Sequence, residues 1–183
     1  FYLTSSILLL LYSDHPIDTN MYHHPFVSYL NSEKIIFGVG NIQFRFGHIS
    51  FLQYVQSAFV NDFFHILVLS APNIILFVSF LYFCGKNIFK TKKINFTFLL
   101  ILIVSSFLLV KYGRYREFGN DIIPFLVASY VLIKIVDQVF YKTTQEIKLF
   151  NLFPIYTIFI FSHKISYIVS SLIFLTVLNI KNL

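Results

Sequence analysis

Tryptophan is absent from the 183 residues, cysteine and methionine occur once each, and Asp and Glu together number only 8. The single thiol, Cys84, excludes an internal disulfide. It closes an apolar run and reads as an inert core thiol rather than a nucleophile or a palmitoylation site. Charged residues make up 12% of the chain, half of the roughly 25% carried by a soluble domain. That leaves too little polar surface to cover a globule in water. There is no His-Glu-x-x-His, so a zinc protease of that type is excluded, and no Gly-x-Gly-x-x-Gly follows a strand-like run, so a dinucleotide fingerprint is excluded too. No internal repeat of fixed period is visible.

What is present is apolar and aromatic. Hydrophobic residues reach 57%, with a mean hydropathy of +0.74, and there are 24 Phe and 12 Tyr. Phe suits a hydrocarbon core, and Tyr suits its boundary, where the hydroxyl stays wet. The apolar residues cluster into blocks at 63–84, 94–110, 122–141, 149–161 and 165–180, after a short opening run at 1–12. A helix needs roughly 20 residues to cross about 30 Å of hydrocarbon. The first three blocks approach or meet that length. Block 149–161 spans only about 20 Å as a helix, and the polar break Ser162-His163-Lys164 separates it from the last. The pattern predicts an all-α fold, a polytopic transmembrane helix bundle. A single transmembrane domain covers 1–183, with an outer loop at 13–62 and transmembrane helices at 63–183. Phe1 opens directly into an apolar run, so the chain is read as a fragment of a longer protein.

The net charge of +6 and a pI near 9.4 would suit nucleic acid, but the lysines sit at block ends, where they determine topology instead. No nucleic-acid partner is expected; membrane lipid is. The basic cluster Lys86, Lys90, Lys92 and Lys93 is placed in the cytoplasm, which sets 13–50 and 111–121 outside and returns Lys142 and Lys148 inside. Lys111, Arg114 and Arg116 then fall on the disfavoured side, as expected of cations with a ligand to bind. Within the outer loop, 24–33 and 49–61 read as short amphipathic helices. In the second, Phe51, Leu52, Val55 and Phe59 recur at helical spacing opposite Gln53 and Gln56, as in a helix lying in the interface plane or packed on protein. Pro72 is expected to kink its block.

Polar chemistry collects in three segments. The first, Ser13 to Phe26, holds Asp14, His15, Asp18, Tyr22, His23 and His24. A carboxylate at the mouth of an apolar bundle is partly desolvated, which suits it to proton abstraction. Asp18 with His23 and His24 offers oxygen and nitrogen donors for a divalent metal, but adjacent histidines point apart, and no metal site is assigned. The second segment, Gly38 to His48, contains glycines that permit unusual backbone angles and Arg45, which needs a carboxylate or phosphate partner in so apolar a setting. The third, Lys111 to Asp121, sets Arg114 and Arg116 among aromatics as a phosphate clamp, with Glu117 and Asp121 able to neutralise them. Elsewhere, Lys134 and Asp137 are spaced to neutralise each other within a span, and Lys164 sits where a helix is expected to unwind toward a cavity.

The Asp…Tyr22-His23-His24-Pro25-Phe26 stretch, Asn41-x-x-x-Arg45-Phe46-Gly47 and Arg114-x-x-Glu117-Phe118-Gly119-x-Asp121, followed by short hydrophobic segments, resemble the first part of GT-C-class membrane glycosyltransferases. Protein O-mannosyltransferases and aminoarabinose transferases belong to that class, and the motifs look most similar to a group of bacterial membrane proteins of the same type. The resemblance implies transfer of a sugar from a polyprenyl-phosphate-linked donor on the extracytoplasmic side of a bacterial inner membrane. It implies a catalytic acid in the first outer loop, here Asp18 with Asp14 as second candidate; the adjacent acidic pair of the class is not present, since these two are four apart. Arg45, Arg114 and Arg116 would hold the lipid phosphate, with His23, His24 and His48 lining the pocket. The second reading is a transporter or flippase of a lipid-linked or anionic solute, with Lys134, Asp137 and the 162–164 break along its path.

Overall fold

The structure is a computed structural model and describes residues 4, 19–33, 38–42, 50–60, 70–90, 94–110, 122–141 and 152–163. Among these every regular element is helical, in agreement with the all-α expectation. A π-helical turn, Thr19–His23, runs directly into α1, His24–Ser32. The others are a short turn α2 (Val39–Ile42), α3 (Phe51–Phe59), α4 (Ala71–Lys90), α5 (Phe96–Val110), α6 (Ile122–Tyr141) and α7 (Phe153–His163). The chain divides into two compact units, one of Phe1–Ser79 with Lys111–Ile122, the other of Phe80–Val110 with Ile123–Leu183.

Local chemistry explains most of the helix boundaries. Pro124 and Pro154 lie in first turns, where a missing N–H costs nothing and the fixed φ suits a helix, and Pro25 is the second residue of α1, just after the π turn. Pro72 is the second residue of α4, with Ser70 in a 3₁₀ turn directly before it; the part of the block at 63–69, against which a kink would be judged, lies outside the described residues. Asn95 caps α5, its side-chain oxygen accepting from the Phe98 N–H at 2.7 Å. Gly38 adopts φ +85°, and its carbonyl accepts from the Asn41 N–H at 2.8 Å. A Cβ there would stand 3.3 Å from Asn41 Nδ2, so the expected glycine-specific backbone occurs at Gly38.

Two block ends move. The lysines were expected to end the first full block near Cys84, but α4 continues through Lys86 to Lys90. A long lysine stem can cover apolar surface while its ammonium stays wet. Ser162 and His163, expected to form part of a break, are helical and belong to α7. There the Ser162 hydroxyl bonds back to the Phe159 carbonyl at 2.7 Å. Lys164 and the block at 165–180 lie outside the described residues.

In the second unit α5 and α6 run antiparallel. Phe96 meets Phe140 with centroids 5.4 Å apart, Phe107 meets Phe125 at 5.2 Å, and the Thr97 hydroxyl donates to Asp137 at 3.3 Å. Tyr130 of α6 stands edge-on to Phe83 of α4 at 4.9 Å and to Tyr156 of α7 at 6.0 Å. Ile101, Val104, Leu108, Ile123, Leu126 and Ile133 are buried. The outward side of α5 is also apolar, through Phe96, Leu99, Leu102, Ile103, Phe107 and Val110, as is that of α7 through Ile155 and Ile158. Among the described residues one helix, Ala71–Lys90, is long and apolar enough to cross a membrane, and Phe96–Leu108 is a shorter apolar helix.

In the first unit α3 packs on α1, which continues from the π turn. Ser50 caps α3. Its Oγ accepts from the Leu52 N–H at 3.2 Å, and its own N–H donates to Gln53 Oε1 at 3.1 Å. This reciprocal box satisfies donors that a helix start leaves open. Replacing Ser50 by Ala removes half of it and is expected to lower stability by about 1 kcal/mol. The check is the thermal midpoint of the purified full chain, which should fall; an unchanged midpoint would mean the cap contributes nothing.

Candidate functional site

The inner face of α3 is polar. Leu52, Gln53 and Gln56 are buried, whereas Phe51 and Phe59 are 47% and 41% exposed and Tyr54 is exposed with them. The helix forms as expected, but its faces divide differently: Leu52, expected with the phenylalanines, is buried beside Gln53 and Gln56, while Phe51, Tyr54 and Phe59 point out, the reverse of an ordinary surface helix. A soluble loop helix would bury its phenylalanines. The arrangement is natural where the outer medium is itself apolar.

Opposite α3, the π turn and α1 supply His23, Phe26 and Val27, all buried. The first turn of α1 would otherwise leave its N–H groups open, but His23 is itself helical and the π turn continues the chain backward from it. A π turn shifts the register of the side chains that follow and recurs at functional sites. His23 ends this turn directly before α1, and its ring reaches α3, where Gln53 Nε2 and His23 Nδ1 are 3.1 Å apart. The tautomer follows from the cap. Gln53 Oε1 is occupied by the Ser50 N–H, so Nε2 must face the histidine, and an NH₂ group can only donate. Nδ1 is therefore the acceptor, and the His23 proton sits on Nε2. The Tyr22 ring lies 4.1 Å from that of His23, tilted by 42°, and His24 is half-buried.

Gln56 lies one turn beyond Gln53 on the same face. It is 0% exposed, and among the described residues neither its Oε1 nor its Nε2 has a hydrogen-bond partner. Burying such groups unsatisfied costs about 1–3 kcal/mol each, a large fraction of the stability of a domain.

Of the residues expected to carry chemistry, the structure describes Tyr22, His23 and His24 and brings the first two into contact with one another. Asp14, Asp18, Arg45, His48, Arg114, Arg116, Glu117 and Lys164 lie outside the described residues. His23 Nδ1 is engaged by Gln53, and among the described residues no group of three or more His, Cys, Asp or Glu gathers. Ser50, Gln53 and Gln56 were not picked out as site residues. The Ser50-x-x-Gln53 spacing just before an apolar run was a readable signal for the first two.

Lys134 and Asp137 were expected to neutralise each other. Asp137 accepts from Thr97, as above, and Lys134 Nζ stands 5.7 Å from the centroid of the Phe83 ring, a cation–π geometry.

These features define an all-helical protein whose helices show apolar faces outward and which buries a histidine–glutamine cluster between two short helices. The chain belongs to the family described as Domain of unknown function (DUF8201), whose model matches residues 1–183. No curated protein and no solved structure matches the chain.

The His23 assignment is open to direct measurement. With ¹⁵N-labelled histidine, the imidazole shifts of His23 should show a bare Nδ1 and a protonated Nε2, and Gln53→Met should release that lock. A proton found on Nδ1 of the unaltered protein would contradict the geometry.

Proposed function

We propose that the chain is part of a multi-span membrane protein that transfers a sugar from a polyprenyl-phosphate-linked donor to an acceptor on the extracytoplasmic side. The observation that carries the reading is α3, turned with its glutamines toward His23 and its aromatics outward. A helix lying in the membrane interface takes this posture when its inner face borders a polar site. The apolar outer sides of α5 and α7 support the membrane setting. So large an apolar surface facing water would be an aggregation hazard, whereas lipid accepts it at no cost.

The chemistry assigned to the chain follows from the segment that the π turn ends. Asp18 directly precedes that turn in sequence and is the proposed general base, taking the proton of the acceptor hydroxyl as the sugar carbon is attacked. Arg45, Arg114 and Arg116 are the proposed phosphate holders, stabilising negative charge as the lipid phosphate departs. His23, held neutral at Nδ1 by Gln53, offers its Nε2 proton as a hydrogen-bond donor. His24, His48 and Tyr22 are the proposed pocket lining. The metal question stays with the donors outside the described residues.

A transporter or flippase of a lipid-linked or anionic solute is the second reading. The Thr97–Asp137 bond and Lys134 favour it, since they place ionisable chains between helices of the second unit rather than in the 13–62 segment.

Two experiments test the reading. In membranes carrying the full-length protein, Asp18→Asn should lower sugar transfer from a polyprenyl-phosphate-linked donor by roughly 10²- to 10⁴-fold; undiminished transfer at normal expression removes Asp18 from the mechanism. Ile103, 66% exposed on α5, tests the setting. Ile103→Lys should cost about 2.5–3.5 kcal/mol of membrane insertion and deplete the protein from the membrane fraction. A water-facing position would accept lysine without loss.

A further inference from the structure

A wholly buried side chain that presents one donor and one acceptor side by side invites a specific complement. The Gln56 amide does this, on the α3 face that also carries the Gln53–His23 bond. An anion could meet its Nε2 but would be repelled by Oε1, and a cation the reverse. A pair of adjacent hydroxyls satisfies both atoms at once: one hydroxyl accepts from the Nε2 hydrogen while its neighbour donates to Oε1. Next to it, Gln53 is fully committed through Oε1 to Ser50 and through Nε2 to His23. That leaves Gln56 as the glutamine of the pair with amide capacity to spare for a ligand. Admitting a ring requires this nine-residue helix to move away from α1, and the apolar face of the ring then covers the Leu52, Phe26 and Val27 surface that the movement uncovers.

We propose that Gln56 is a sugar-binding residue: its amide reads a vicinal diol of a pyranose ring seated between α1 and α3, beside His23. This rests on the transferase reading above and names the part of the substrate that the seam would hold. The pairing is a binding contact and moves no atoms of the reaction.

The test uses the full chain in lipid nanodiscs, titrated with octyl β-D-glucoside below its micelle concentration. The comparison probe is octyl tetraethylene glycol ether, which has the same alkyl chain and no vicinal diol. The glucoside should raise the thermal midpoint and the ether should not. Gln56→Met keeps the volume and removes both hydrogen-bonding atoms. It should weaken the glucoside response by roughly tenfold or more, while its midpoint without ligand equals or exceeds that of the unaltered chain. The proposal is overturned by a glucoside response that Gln56→Met leaves intact or by no response in the unaltered chain. It is equally overturned if N-octylacetamide gives the stronger response, which would mark an amide ligand. A lower ligand-free midpoint for Gln56→Met would also sink it, since the amide would then have a protein partner. Sugar transfer separates the two readings. A Gln56-dependent glucoside response without any transfer supports the site and removes the transferase; transfer that survives Gln56→Met undiminished removes the site and spares the transferase.

Discussion

The arrangement of the first unit depends on one reciprocal contact, the pairing of Ser50 with Gln53 at the start of α3. Gln53 has two polar ends, and the cap occupies one of them. Because the Ser50 N–H can only donate, it fixes which end of the amide faces inward, and that in turn fixes which nitrogen of His23 is bare. A hydrogen-bonded cap that ordinarily does no more than stop a helix from fraying thus sets the protonation pattern of a buried histidine in a different element. His23 is placed by its position directly before α1, the helix that packs on α3.

The same contact accounts for the posture of α3. With Gln53 held inward by both the cap and His23, helical geometry carries Gln56 and Leu52 inward with it and leaves Phe51, Tyr54 and Phe59 on the other side. Nothing in the amphipathic pattern alone dictates this. Periodicity locates the two faces of a helix but not which medium each meets, and the usual assumption that the apolar face turns to the core holds only when the surroundings are water. The helix was readable from the spacing of Phe51, Val55 and Phe59; its direction required the cap, and the cap lay in the sequence as Ser50-x-x-Gln53.

Elsewhere the legibility follows the length of the pattern. The long blocks at 94–110 and 122–141 hold α5 and α6, and strong local signals stand near their starts: the Asn95 cap, and Pro124 two residues into α6. The prolines were legible as punctuation but ambiguous in sense. Pro72 reads equally as a kink or as a first-turn residue, because a proline suits both settings. The ends at Lys86 and at Ser162-His163 were misjudged for a common reason. Polar residues at a block edge were taken as helix stops, yet the backbone needs its hydrogen bonds, and a helix turn accepts a lysine with a solvated ammonium or a serine whose hydroxyl bonds back to the preceding turn.

The second unit shows how little a polar pair in an apolar helix reveals before its neighbours are known. Spacing alone joins Lys134 to Asp137, but the antiparallel packing of α5 against α6 brings Thr97 to the carboxylate, and α4 brings the Phe83 ring to the ammonium. Each charge is thereby matched by a group from another helix, which ties the bundle together in a way that a pair within one helix would not. The glutamine seam of the first unit and the Thr97–Asp137 contact of the second therefore differ in kind. In the first, a buried amide lacks any partner among the described residues and calls for something from outside; in the second, helices of the chain already answer one another, and the polar groups serve first to hold them in register.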